Sequence, residues 1–247
     1  MSGHSKWASI KRKKGAVDQA RGKLFSKLIK EITIAARDGG GDPEGNARLR
    51  LAIEKAKQSN MPNENINRAV KRGSGELGGA VYEQISYEGY GPGGVAFFLD
   101  ITTDNKNRTA AEIRSIFSKN GGNLGASGCV SYMFEKKGLI HFDKSANEDA
   151  VIEVALDAGA EDVVSDGIGI EVTTTPDTLH QVLESFRKKN LKWESADLTM
   201  IPSSSIRVSG KTAEQVLRMM DLFEDHDDVA NVFANFDIDE AEMLAYD

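Results

Sequence analysis

The stretch GSGELGG, Gly73–Gly79, divides the chain into two kinds of sequence. Before it, apolar residues recur at helical spacing; after it, β-branched and aromatic residues gather in short runs bounded by glycine. On the N-terminal side Leu24, Phe25, Leu28, Ile29, Ile32, Ala35 and Ala36 define one helix, with Asp18 as candidate N-cap and Gly39-Gly40-Gly41 as its stop. A second helix is expected over Glu44–Ser59, with Leu49, Ala52, Ile53 and Ala56 inward. A third opens at Pro62, runs through Ile66, Ala69 and Val70, and ends before Gly73. Three such helices make a small bundle.

On the other side of the glycines, Val81–Tyr87 and Val95–Thr102 read as the strands of a hairpin. Thr109 and Glu112 form a capping box that opens a helix over Ala110–Lys119, stopped by Gly121-Gly122. Val130–Phe134 and Gly138–Phe142 are expected as two strands separated by the polar Glu135-Lys136-Lys137. A middle unit then follows: strand Leu139–Phe142, helix Asn147–Ala158, strands near Asp162–Val164 and Gly169–Thr173, helix Asp177–Asn190 and strand Ala196–Ile201. That βαββαβ order is ferredoxin-like. The unit outside it lacks a helix and a strand, which Thr212–Glu224 and Val229–Phe236 supply from the C-terminus. The expected fold class is therefore α+β multidomain: an N-terminal helical bundle plus two ferredoxin-like α+β domains, one inserted in the other. The divisions fall at residues 1–78, 79–135 together with 204–247, and 136–203.

Charge follows the same boundary. Residues through Gly78 carry 17 Lys or Arg against 8 Asp or Glu, and the remainder 14 against 30, within a formal net charge of −7 over 247 residues. A basic block on an acidic body suggests one face that approaches a polyanion while the others stay away. Several function classes drop out. No apolar run approaches the roughly 20 residues that span a bilayer, so no membrane partner is expected. The single cysteine, Cys129, cannot close an internal disulfide, and no Cys/His cluster suggests a metal, so a reducing cytosol fits. The cationic N-terminus could imitate a mitochondrial presequence, but Gly3, Trp7, Gly15 and Arg12–Lys14 are expected to break any amphipathic helix, so it is read as part of the mature protein.

YEGYGPGG, Tyr87–Gly94, contains G-x-G-x-x-G, yet a strand follows it where a dinucleotide fingerprint requires a helix. The glycines serve a tight turn. Nucleophile elbow, Walker loop and HExxH patterns are absent, and His4, His141, His180 and His226 are isolated, so neither an enzyme nor a cofactor is expected. Glu224, Asp225, Asp227 and Asp228 read as a solvated loop. What remains is the N-terminal arm. Trp7 suits stacking on a base or ribose, and Lys6, Lys11, Arg12, Lys13 and Lys14 are placed to neutralise phosphates. Arg21, Lys23, Lys27 and Lys30 continue the charge along the first helix as a stripe separate from its apolar face. Tyr90 at the hairpin tip, and Asn107, Arg108 and Asn123 at the ends of one helix, are possible secondary contacts. The ordinary reading of that last group is capping and turn chemistry.

GHSKW at the start, GGGDP at Gly39–Pro43, NMP at Asn60–Pro62, YEGYGPGG, TDNKNRT at Thr103–Thr109 and KNGGNLG at Lys119–Gly125 together resemble the YebC/PmpR family, relatives of the mitochondrial translational activator of cytochrome oxidase. The motifs cover about half the chain, in order. The resemblance implies an N-terminal helical domain and two α+β domains, cytoplasmic in bacteria. It also implies a probable transcriptional regulator binding promoter DNA, or alternatively a ribosome-associated translation factor that binds ribosomal RNA and relieves stalling.

Overall fold

The structure, a computed structural model, describes residues 7, 10, 19–165 and 169–246. Trp7 and Ile10 are both helical, against the expectation that Trp7 breaks a helix, and among the described residues from 19 on three helices follow: α1 (Gln19–Gly39), α2 (Ala47–Gln58) and α3 (Asn63–Gly73). Their apolar stripes meet in one cluster, with Leu28, Ile32 and Ala36 of α1 against Leu49, Ala52 and Ala56 of α2 and Ile66 and Ala69 of α3. Asn46 fixes the first corner: its Oδ1 accepts from Leu49 N at 3.0 Å while its Nδ2 donates to Ala35 O at 2.7 Å and Gly40 O at 2.9 Å. Gly73 fixes the last. A Cβ there would lie 2.2 Å from Thr33 O, so only glycine lets α3 approach the α1 backbone so closely.

The first sheet has the order β3-β1-β2-β9, built from β1 (Glu83–Tyr90), β2 (Ala96–Thr103), β3 (Asn123–Leu124) and β9 (Val229–Ala234). Every neighbouring pair is antiparallel. Helices α4 (Lys106–Lys119) and α7 (Gly210–Glu224) cover one face. Phe97, Leu99 and Ile101 from β2 meet Ile113 and Phe117 of α4 and Val216, Met220 and Phe223 of α7 in the largest core cluster.

The second sheet comprises β4 (Phe134–Asp143), β5 (Asp162–Ser165), β6 (Gly169–Thr174) and β7 (Ser195–Pro202) in the order β5-β6-β4-β7, all antiparallel. Helices α5 (Glu148–Asp157) and α6 (Leu179–Lys188) pack on it around Phe142 and Phe186, whose ring centroids are 4.9 Å apart. This is the ferredoxin-like strand order. The first sheet shows the same order with the strand that would follow β3 supplied by β1, ahead of β2 in the chain. A short parallel pair of β8 (Ile206–Arg207) and β10 (Phe236–Asp237), and α8 (Glu240–Ala245), complete the fold. Among the described residues no helix is long and apolar enough to cross a membrane.

Three local expectations are corrected. Val130–Phe134 is not a strand: Glu88, buried on β1, accepts backbone N–H bonds from Gly128 at 2.7 Å and from Val130 and Ser131 at 2.8 Å, which curls this segment into a 3-10 turn over Ser131–Met133. The sheet takes Asn123–Leu124 instead. Glu135-Lys136-Lys137 does not interrupt a strand, because Lys137, largely covered, is neutralised by Glu135 at 2.8 Å and Glu161 at 3.0 Å while the ladder to β7 continues. Thr109 does not cap α4. Asn105 does, accepting from Arg108 N at 3.1 Å, and the helix begins at Lys106.

Candidate nucleic-acid interface

Helix α1 presents Lys23, Lys27 and Lys30 at i, i+4 and i+7 on one face, as their spacing requires. That face is turned to the end of α7 and the acidic segment after it. Lys23 Nζ donates to Asp225 O at 3.2 Å and lies 3.6 Å from the Asp225 carboxylate. Lys27 Nζ donates to Glu224 O. Lys30 Nζ donates to Asp227 O at 2.9 Å and to Asp228 Oδ1 at 2.8 Å. Carbonyls at a helix C-terminus lack intrahelical donors and carry the negative end of the macrodipole, so they attract cations as carboxylates do.

Asp228 is the hub of this contact. Its Oδ2 accepts from Arg108 Nη2 at 2.7 Å, Thr109 Oγ1 at 2.8 Å and Thr103 Oγ1 at 3.2 Å. Its side chain is only 6% exposed. Burial alone would raise its pKa; the hydrogen bonds from Lys30, Arg108 and Thr109 outweigh that and hold the carboxyl well below the usual carboxylate range. The solvated acidic loop expected from sequence is thus corrected at Asp228. Lys27 shifts too: burial lowers its ammonium to about 8, with Glu224, Asp225 and Asp227 opposing the shift.

A cleft of about 860 Å³ opens beside the contact, with Lys30, Tyr82, Arg108, Glu112 and His226 in its wall. His226 Nδ1 accepts from Asp228 N at 3.1 Å, which leaves the ring proton on Nε2 to be donated to Glu112 Oε2 at 3.0 Å. Glu112, His226 and Asp228 bring donor atoms within 4.8 Å of one another. Two cations already sit on Asp228, at 2.7 and 2.8 Å, so a metal would have to enter against Arg108 and Lys30. The arrangement serves an internal hydrogen-bond chain better than a metal.

The residues expected to meet nucleic acid are therefore scattered in fate. Lys23, Lys27 and Lys30 are brought together, but on the protein's own carbonyls and carboxylates rather than as a solvated stripe. Arg108 joins them through Asp228 and also reaches Asp104 at 3.0 Å. Trp7 is corrected: it is 3% exposed, in the core cluster of the first sheet with Ile10 and Met243, and meets Tyr246 edge-on at 5.7 Å between ring centroids. An indole buried so has no free face for a base. Tyr90 donates its hydroxyl to Cys129 O at 3.0 Å and is a packing residue. Asn107 and Asn123 are both exposed but lie at opposite ends of α4, a helix of 14 residues and so about 20 Å long, and form no common site. Lys6, Lys11, Arg12, Lys13, Lys14 and the N-cap candidate Asp18 lie outside the described residues, as does the side chain of Arg21. Sequence reasoning missed Asp228, Thr103 and Glu88. The one local signal is that Asp228 directly precedes the buried Val229 at the start of β9, unlike the acids before it.

A cation-bearing three-helix unit joined through charged contacts to two antiparallel sheets of ferredoxin-like order defines a multidomain α+β protein with its helical part N-terminal. The chain belongs to the TACO1/YebC family: residues 5–76 match the model of the TACO1/YebC protein N-terminal domain and residues 82–236 that of the TACO1/YebC second and third domain. A "Probable transcriptional regulatory protein" of Natranaerobius thermophilus is 58% identical over 247 residues, covering 98% of this chain and 99% of the relative. One of the same description from Geotalea uraniireducens is 58% identical over 243 residues and covers 98% of each. The crystal structure of a conserved hypothetical protein from Aquifex aeolicus superposes with a TM-score of 0.84 at 50% identity, covering 91% of this chain and 93% of that one.

Proposed function

We propose that the chain is a nucleic-acid-binding regulator of gene expression, a DNA-binding transcriptional regulator in the first instance, which works through its N-terminal helical unit and arm. The observation that carries this is the concentration of cations before Gly78, 17 against 8 acids, on a body where acids outnumber cations 30 to 14. The description its relatives bear, probable transcriptional regulatory protein, points the same way. Within this reading Lys6, Lys11, Arg12, Lys13, Lys14 and Arg21 contact phosphate, and the chain works as three domains: residues 1–78, 79–135 with 204–247, and 136–203. It acts without catalysis, in the cytoplasm.

A second reading, a translation factor on ribosomal RNA, is favoured by one observation. With Trp7 in the core, the arm loses its one tryptophan for stacking on a base, and its cations read phosphate without distinguishing DNA from RNA. Crosslinking in cells followed by sequencing of the bound nucleic acid separates the two. Enrichment at promoters supports the transcriptional role; recovery of ribosomal RNA alone replaces it with the translational one.

A further inference from the structure

The α1 lysines hold ligands that resemble phosphate in charge and hydrogen bonding: three backbone carbonyls at and just beyond the end of α7, the exposed Asp225 carboxylate and the buried Asp228 carboxylate. Among the described residues, no apolar cluster joins α1–α3 themselves to either sheet, although Trp7 and Ile10, ahead of α1, lie in the first sheet's cluster, so that the helices are tied to that sheet through residues 11–18 as well as through 74–82. The helices keep their own cluster, and the sheets keep theirs. The remaining contacts of the helical unit are polar as well: Arg37 donates to Tyr82 O, Lys55 pairs with Asp197 at 2.5 Å, and Arg187 Nη2 reaches Glu54 at 3.0 Å. Interfaces of this kind between parts of one chain resemble transient ones, and their exposed pairs are weak and screened by salt. Between α3 and β1 the chain has Gly75 at φ 86° and the pair Gly78-Gly79, and these nine residues, 74–82, can extend to about 30 Å.

We propose that this contact is autoinhibitory. The end of α7 and residues 224–228 occupy Lys23, Lys27 and Lys30 in place of a polyanion, and a nucleic acid gains the stripe only when the helical unit swings away from the first sheet. This rests on the nucleic-acid reading above and adds its regulation: the structure is the closed state, and the sugar-phosphate backbone is the competitor that opens it. A ligand shifts such an equilibrium by its differential affinity for the two states, and the free lysine stripe exists only in the open one.

The test uses the full chain with Lys23→Cys and Asp225→Cys in a Cys129→Ser background. A bis-methanethiosulfonate cross-linker joins the two thiols, and dithiothreitol cleaves it. The probes are a fluorescein-labelled 20-base-pair DNA duplex and a 20-nucleotide single-stranded RNA, read by anisotropy. Cleaving the cross-link in one and the same protein is expected to tighten binding at least tenfold. Affinities within threefold before and after cleavage overturn the inference alone; no binding of either probe by the cleaved protein overturns the nucleic-acid reading and the inference together. A second measurement avoids any folding defect of that variant. With a donor and acceptor on the exposed positions Gln58 and Ser118, energy transfer is expected to fall when duplex is added, and unchanged transfer in a sample that binds it overturns the closed-state proposal.

Discussion

Lys30 and Asp228, 198 positions apart in the chain, meet with Nζ 2.8 Å from Oδ1 and with their side chains only 14% and 6% exposed. Through Asp228 the helical unit is connected to β2 by Thr103, to α4 by Arg108 and Thr109, and to the start of β9 by the backbone. Replacing Asp228 by Ala takes the buried carboxylate from Lys30 and leaves Arg108, among the described residues, with Asp104 alone. The expected cost is about 3 kcal/mol, the range for breaking a buried ion pair from one side. Lys30→Ala should cost less, about 1 kcal/mol, because Arg108 and the two threonines still satisfy the carboxylate. Urea denaturation of both variants checks the order; a larger loss for Lys30→Ala would remove Asp228 from its central place.

Glu88 offers a second buried carboxylate, whose pKa burial would raise but which the Gly128, Val130 and Ser131 N–H groups lower overall. Glu88→Gln turns one acceptor into a donor aimed at backbone N–H groups, at an expected cost of about 2 kcal/mol. Both Glu88 and Asp228 have folded-state pKa values below their unfolded ones. Their stabilisation is therefore present above the unfolded values, near 4, and is lost as pH falls through that region toward the folded ones. Thermal unfolding from pH 7 to pH 3 should show a steep loss below about pH 4 that Glu88→Gln makes shallower.

On the alkaline side the sign reverses its origin. Lys27 has a folded pKa of about 8, below the ordinary lysine value, so between about pH 8 and about 10.4 the unfolded chain holds the extra proton. Stability from this group rises with pH across that window. The difference in unfolding free energy between wild type and Lys27→Met, measured at pH 7.5 and 9.5, should move in favour of wild type at the higher pH. A constant difference would show that Lys27 titrates normally.

Trp7 belongs to the core, so Trp7→Ala should cost about 3 kcal/mol, as expected for emptying a large buried site. In a Trp193→Phe background, Trp7 emission should be blue-shifted and shielded from iodide with or without nucleic acid. Strong iodide quenching in the free protein, relieved only on adding nucleic acid, would restore the stacking role.

Changing Lys11, Arg12, Lys13 and Lys14 together to Ala should weaken binding of all nucleic-acid sequences alike. The slope of log affinity against log salt should shallow by about 0.9 for each duplex phosphate that is no longer neutralised, or about 0.7 for each single-strand phosphate. A titration series from 50 to 300 mM salt, roughly the range over which such neutralisation is felt, measures it. An unaltered slope would take the arm out of the mechanism.

Much of the architecture is legible in the sequence because it rests on local rules. The 3.6-residue recurrence from Leu28 to Ala36, the glycine stop after it and Pro62 at the opening of α3 act within a few residues of themselves. The βαββαβ order around α5 and α6 was readable for the same reason. Capping already lay at the limit. Thr109 and Asn105 are both competent caps, and the choice fell to Asn105 because Thr109 is drawn into the core by Asp228, 119 positions away. The segment after Gly128 has the composition of a strand, and Glu88, 40 positions earlier, overrides it by taking its N–H groups.

The candidate site was legible in composition and misleading in detail. Sequence alone determined most of the helices and strands, the ferredoxin-like order of elements in the middle unit and the segregation of cations before Gly78, since these depend on neighbours in the chain and on simple counting; the strand that completes the first sheet, Asn123–Leu124, it did not. The tertiary structure alone decided which of those cations meet water, because electrostatic partnership depends on distance in space. Helix α1 delivers Lys23, Lys27 and Lys30 on one face wherever it lies; only the packing of that helix over the end of α7 sets Glu224 to Asp228 opposite them. The same holds for Trp7, an indole buried in the first sheet's core and packed edge-on against Tyr246, 239 positions away.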